Sequence, residues 1–261
     1  MTNSFNGLVR MAAPNRNLQF YGAPVGILMV QRAVTDDPFD RFYPPGSVNN
    51  ACTWSVPVRY KPMPGLTFPK LQVPNNAATE SIAVQAAIEL AREGASLITA
   101  NCGFMVRYQE AVRAAVDIPV CLSPLLLAPF LEVMLPPNRS VGIITAKAPG
   151  LTPDLLNASG ISRESERIVI GGLENSPAFA AALLTASGNL DNAAVEVETV
   201  EVAMELMRRR PDIGALLLEC SELPPYAAAV QRATGVPVFD YTSIIEFFVQ
   251  GLVRRPFHGI I

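Results

Sequence analysis

Histidine is almost missing from this sequence. His258, near the C-terminus, is the single one in 261 residues. A Ser-His-Asp triad or a Cys-His pair would have to recruit that tail residue, and a histidine-rich metal site is excluded. Cysteine is also scarce: Cys52, Cys102, Cys121 and Cys220 stand far apart, and no two share CxxC spacing. The first twenty residues lack the apolar core of a signal peptide. The cysteines are therefore expected to be free thiols in a reducing cytoplasm. No basic stretch is interleaved with aromatics and the net charge is −3, so nucleic acid is not an expected partner. The most apolar stretch, VCLSPLLLAPFLEVMLPP, is broken by Pro124, Pro129 and Glu132. No membrane helix is expected from it; it suits a buried strand followed by a helix.

Hydrophobic residues nonetheless make up 50% of the chain, enough for a sizeable core. Short apolar runs alternate with segments of helical period. VGILMV (25–30), SLITA (96–100), PVCLS (119–123), SVGIITA (140–146), RIVIGG (167–172), ALLLE (215–219) and PVFDY (237–241) read as strands. Their unbroken apolar character suits parallel sheets covered on both faces. The segment NNAATESIAVQAAIELAREG has asparagine caps, an apolar stripe and Gly94 past its end. A second helix starts at Asp191 and ends in arginines 208–210. Residues 31–76 are rich in Pro, Asn and Gly, with VPVRY as one candidate strand inside a long loop expected to cover a site.

The chain also repeats itself. VGIL at 25–28 matches VGII at 141–144, an offset of 116. SLITANC matches GALLLEC, and VDIPVCLSPLLLAPF matches TGVPVFDYTSIIEFF, both at an offset of 118. These matches predict an α/β protein of two similar Rossmann-like or flavodoxin-like lobes with parallel sheets. The lobes would be related by a pseudo-two-fold axis, with the active site in the cleft between them. Residues 1–23 are read as an N-terminal arm, 24–136 as the first lobe and 137–261 as the second, with 235–261 able to exchange into the first.

Cys102 and Cys220 each stand where a strand ends and a helix begins, the edge at which open α/β sheets bind ligands. A helix N-terminus contributes about 0.3–1 kcal/mol toward an anion, which alone leaves most of a thiol protonated at pH 7. Backbone N–H donors or a charged partner are needed for a full thiolate. Two sulfurs on opposite lobes could take a proton from one face of a carbon acid and deliver one to the other. Cys121, whose repeat partner is Phe239, reads as a packed thiol.

These segments, ITANCGF, GALLLECSELPPYA and TGVPVFD, resemble the aspartate/glutamate/hydantoin racemase superfamily over about residues 24–252. PPGSVNNACTWSVPV is similar to a stretch of an uncharacterised branch of it. The resemblance implies a cofactor-independent racemase or epimerase, in which Cys102 and Cys220 are acid and base. The substrate would be a small α-substituted carboxylic acid, amino acid or hydantoin. CSELP is similar to the family's Cys-Thr-Glu motif. Gly103 and Phe104 replace the usual Asn-Thr after the first cysteine, which puts aspartate and glutamate as substrates in doubt. Related families isomerise maleate with a nucleophilic cysteine or decarboxylate arylmalonates with one cysteine. A two-lobed protein that only binds a small acid is the reading from another class. A homo-oligomer is expected, and no metal.

The candidate substrate-binding set is Asn50, Gly103, Phe104, Thr145, Ser221 and Glu222. Ser221 and Glu222 read equally as a helix cap and first-turn acid. Trp54 reads as a packing anchor, Asp240 as a helix cap or a support to the site, and Glu219 as a buried acid that could pair with an arginine. Arg32, Arg41, Arg59 and Lys147 are candidates for carboxylate recognition.

Overall fold

The apolar runs become strands of two four-stranded sheets, every pairing parallel. The structure is a computed structural model that describes residues 22–31, 42–73, 76–162, 164–185 and 189–254. The first sheet, in order β2-β1-β3-β4, holds β1 (Val25–Gln31), β2 (Val58–Thr67), β3 (Leu97–Ala100) and β4 (Val120–Cys121). The second, in order β6-β5-β7-β8, holds β5 (Ser140–Thr145), β6 (Ile168–Gly172), β7 (Ile213–Leu218) and β8 (Val238–Phe239). The two orders correspond strand for strand, and the matched segments 25–28 and 141–144 occupy equivalent interior strands. The fold is the two-lobed α/β architecture that the internal repeat predicts.

One strand exceeds the expectation. Residues 58–67 form a ten-residue strand through Pro62, Pro64 and Gly65, where the sequence reads as loop. Proline cannot donate to a ladder, but β2 is an edge strand bonded to β1 alone, which tolerates it.

The helices are set by their caps. Helix α1 (Ala77–Glu93) starts at Asn76, whose side chain accepts from the Thr79 N–H, and stops at Gly94 with φ 106°. After α2 (Gln109–Ala115) and α3 (Ala128–Met134), α4 (Asn192–Arg209) starts at Asp191, which accepts from the N–H groups of Ala193 and Ala194. After α5 (Ala227–Thr234), α6 (Tyr241–Leu252) is closed by a capping box between Asp240 and Ser243.

The lobes are laced together. Leu125, Ala128 and Leu131, at and before α3, share a core with Val141, Ile143 and Leu217 of the second sheet. In return Tyr241, Ile244, Ile245 and Val249 of α6 pack on Val25, Ile27, Leu97 and Cys121 of the first. Each fully buried large apolar side chain is worth about 1.5–3 kcal/mol, so these contacts fix the lobes and hold the cleft edges in register. Among the described residues no helix is long and apolar enough to cross a membrane.

Candidate active site

The carboxyl ends of β3 and β7 converge on one cavity of about 140 Å3, lined from the first lobe by Asn101, Cys102, Gly103 and Phe104 and from the second by Glu219, Cys220, Ser221 and Glu222. Both cysteines are half-buried free thiols. Cys102 is the extended residue before the 3-10 turn Gly103–Tyr108, and the N–H groups of Phe104 and Met105 favour its thiolate. The N–H of Glu222 favours the thiolate of Cys220 in the same way. These are the backbone donors that a helix dipole alone could not replace. They are outweighed. Burial, then the Glu219 carboxylate, push the Cys102 thiol up to about 12, and the same two causes hold Cys220 well above its ordinary value. The site therefore contains two thiols.

Glu219 is the residue whose importance the sequence understates. It is 1% exposed and takes its hydrogen bond from the Thr145 hydroxyl at 2.7 Å, with no arginine beside it among the described residues. Its other oxygen, Oε1, is buried without a hydrogen-bond partner. Burial raises its carboxyl to about 7, partly offset by Thr145. Its carboxyl lies against the opposite lobe's cysteine loop: a Cβ on Gly103 would sit 1.9 Å from Oε1. Gly103 is thus a glycine because Glu219 fills the space beside it.

A polar network links the two lobes and the loop before β2 beside the cavity. Ser221 Oγ donates to the Asn101 carbonyl at 2.6 Å, joining the lobes directly. Glu222 accepts from Ser47 Oγ at 2.8 Å and from Asn49 Nδ2 at 2.7 Å, and Val48 N–H donates to the Ser221 carbonyl. The loop before β2 is thereby pinned across the cavity, with Tyr43 and Asn49 in its wall. Ser221 and Glu222 do not cap a helix here; the next turn begins at Pro224. Phe104 forms an apolar wall and meets Phe68 with ring centroids 5.4 Å apart.

Two candidate residues have other tasks. Asn50 caps the turn Ala51–Thr53, accepting from Cys52 N–H and donating to the Tyr43 carbonyl, and the asparagine at the cavity is its neighbour Asn49. Thr145 gives its hydroxyl to Glu219 and acts through it. Trp54 is an anchor, packed with Val48 and Tyr241. Cys121 is fully buried, Cys52 is exposed, and neither lines the cavity. Arg59 pairs with Glu93, and Lys147 donates to Gln72, both away from the cavity wall. Arg32, Arg41 and His258 lie outside the described residues. Among the described residues no three histidine, cysteine or acidic side chains come together to hold a metal ion. For Asn49 and Asn101 the sequence carries a signal only in hindsight: Asn101 is the repeat counterpart of Glu219.

No family model matches the chain. A dimethylsulfoniopropionate lyase of Durusdinium sp. clade D is 32% identical over 222 residues, covering 83% of this chain and 73% of that protein. Among solved structures, arylmalonate decarboxylase matches with a TM-score of 0.53 at 17% identity, over 88% of this chain and 92% of its own. Glutamate racemase from Francisella tularensis subsp. tularensis SCHU S4, in complex with D-glutamate, matches with a TM-score of 0.52 at 18% identity, over 88% and 80%. The chain shares the two-lobed fold of arylmalonate decarboxylase and glutamate racemase.

Proposed function

The chain belongs to the dimethylsulfoniopropionate lyase family of enzymes, and on that premise we propose that its cleft eliminates a β-leaving group from a small carboxylate, dimethylsulfoniopropionate first among them. The observation that carries this reading is the pair of half-buried thiols beside the buried Glu219 carboxyl. Such a site resists a thiolate until a positively charged group comes beside the sulfur. A sulfonium about 5 Å from a sulfur, at an effective dielectric constant of about 20, favours the thiolate by about 3 kcal/mol. That is about two pKa units. With its carboxylate turned away from the sulfur, the sulfonium end of this zwitterion would supply much of the bias that burial and Glu219 withhold. A diacid would do the reverse, which disfavours the maleate-type isomerase.

We take Cys102 as the base, because a neutral amide, Asn101, precedes it, whereas the Glu219 carboxyl precedes Cys220. Its thiolate takes a proton from the carbon next to the carboxylate. The electron pair left behind forms the carbon–carbon double bond, and the carbon–sulfur bond breaks toward sulfur. Dimethyl sulfide and acrylate result, and the proton on Cys102 is later lost to solvent. The presence of Cys220 in the same cavity supports a second reading, racemisation, which shares the first step and diverges where the leaving group is absent. Then Cys220 would return a proton to the other face.

The test is to incubate the protein with dimethylsulfoniopropionate in deuterated water, measuring dimethyl sulfide in the headspace and acrylate by NMR. Stoichiometric release of both is expected. No release, together with α-deuteration of an acid that has no leaving group, would overturn elimination in favour of racemisation.

A further inference from the structure

The two cysteine loops are related by the internal repeat, yet the residues preceding the sulfurs differ in kind. Asn101 precedes Cys102 and is a neutral amide with settled partners: Oδ1 accepts from Val30 N–H and Nδ2 donates to Asn49. Glu219 precedes Cys220 and can carry charge. One of its oxygens is held by Thr145, and the other is buried, unpartnered and pressed against Gly103 of the opposite loop. A buried carboxylate oxygen without a donor is costly, and a second negative charge on a neighbouring sulfur adds like-charge repulsion. A thiolate and an ionised Glu219 therefore exclude one another.

We infer that Glu219 is a positioning residue that holds a proton in the working enzyme, so that a negative charge can form on a cysteine sulfur. The titratable groups facing this arrangement are Cys102 and Cys220, the Tyr241 phenol on α6, which feels the charge of Glu219, and Glu222 across the cavity. The raised carboxyl range of Glu219 agrees with the geometry. The inference deepens the acid–base reading of the cavity and rests on it, but its test needs no substrate.

The experiment follows alkylation of Cys102 and Cys220 by iodoacetamide against pH, read peptide by peptide by mass spectrometry. Exposed Cys52 serves as the internal control. In Glu219→Gln, which fixes the neutral form, the cavity thiols should titrate at least about one pH unit lower, reacting about tenfold faster at a fixed pH below the midpoint. Cys52 should be unchanged. Thr145→Val removes the hydroxyl that favours the charged form and should shift the profile in the same direction by less. Should Glu219→Gln fail to fold, Thr145→Val decides on the same readout. Infrared difference spectra should show a protonated carboxyl at pH 6 in the parent that is lost in Glu219→Gln. Unchanged thiol profiles in the folded variants would overturn the inference. A shifted profile in a protein that releases no dimethyl sulfide would uphold it while removing the elimination reading.

Discussion

Replacing Gly103 with alanine adds one methyl group at the most crowded point between the lobes. The new Cβ would lie 1.9 Å from Oε1 of Glu219, 2.6 Å from its Cδ and 2.8 Å from its backbone carbonyl oxygen. The side chain could swing away only by leaving Thr145, and the carbonyl belongs to the strand end, fixed by the Glu219 N–H bond to Ile144. Overpacking of this kind costs about 1–3 kcal/mol. For a chain of this size each kcal/mol moves the melting temperature by about 2–4 °C. The larger effect should be on turnover, because the methyl group drives the Cys102 loop off the second lobe. A displacement of about 1 Å in a reacting group can cost about a hundredfold. Thermal melts and dimethyl sulfide release would be measured for Gly103→Ala beside Gly251→Ala, whose Cβ would meet nothing within 4 Å. Glu219→Ala in the Gly103→Ala background should restore part of the stability, since two of the three close contacts vanish. A Gly103→Ala protein as stable and as active as the parent would refute the packing argument.

Cys102→Ser should lower elimination by about 10²–10⁴, while Cys220→Ser should keep a measurable fraction of it; equal and complete loss in both would favour two-base racemisation. Gly46, at φ 100°, would place a Cβ 2.9 Å from the Pro225 backbone. Gly46→Ala should therefore loosen the 43–54 loop, seen as faster protease cleavage there and a raised KM. Cys121→Ala, in the first-sheet core, should cost on the order of 1 kcal/mol of stability with kcat unchanged. The Glu219 carboxyl is raised from 4.5 to about 7, so the folded state keeps a proton that the unfolded state loses. Its contribution to stability is then lost as pH rises from about 4.5 to about 7, by up to about 3 kcal/mol. Urea melts at pH 4.5 and 7.5 should show Glu219→Gln gaining on the parent at the higher pH, and parallel curves would contradict it.

The sheet interiors were legible because a covered parallel strand must be apolar along its length, as β5 and β7 are. Helices α1 and α4 were legible because Asn76, Gly94 and Asp191 carry their own cap chemistry. Strand β2 was obscured by Pro62 and Pro64, since only its edge position makes them tolerable, and an edge position belongs to the whole sheet. The cysteine pair could be read because the repeat carries it. The task of Glu219 could not, because it depends on which side chain faces Gly103 across the interface. Asn50 and Asn49 show the same limit: both are polar residues of one loop, and local turn geometry decides which caps and which reaches the cavity.

A scaffold built from two matching halves offers two thiols to one carbon centre, and symmetric chemistry would be its simplest use. Racemisation asks that each sulfur serve as acid and as base with similar ease. Elimination asks only that one sulfur take a proton and that a leaving group depart. The surroundings here are unequal: Cys102 has a neutral amide before it, and Cys220 has an ionisable carboxyl. The difference lies at a position where the repeat aligns asparagine with glutamate, and the packing against Gly103 shows that the glutamate is built into the interface. A pair biased in this way suits a reaction that runs through one base. It gains most from a substrate that brings a fixed positive charge, because that charge offsets what Glu219 and burial withhold from the sulfur.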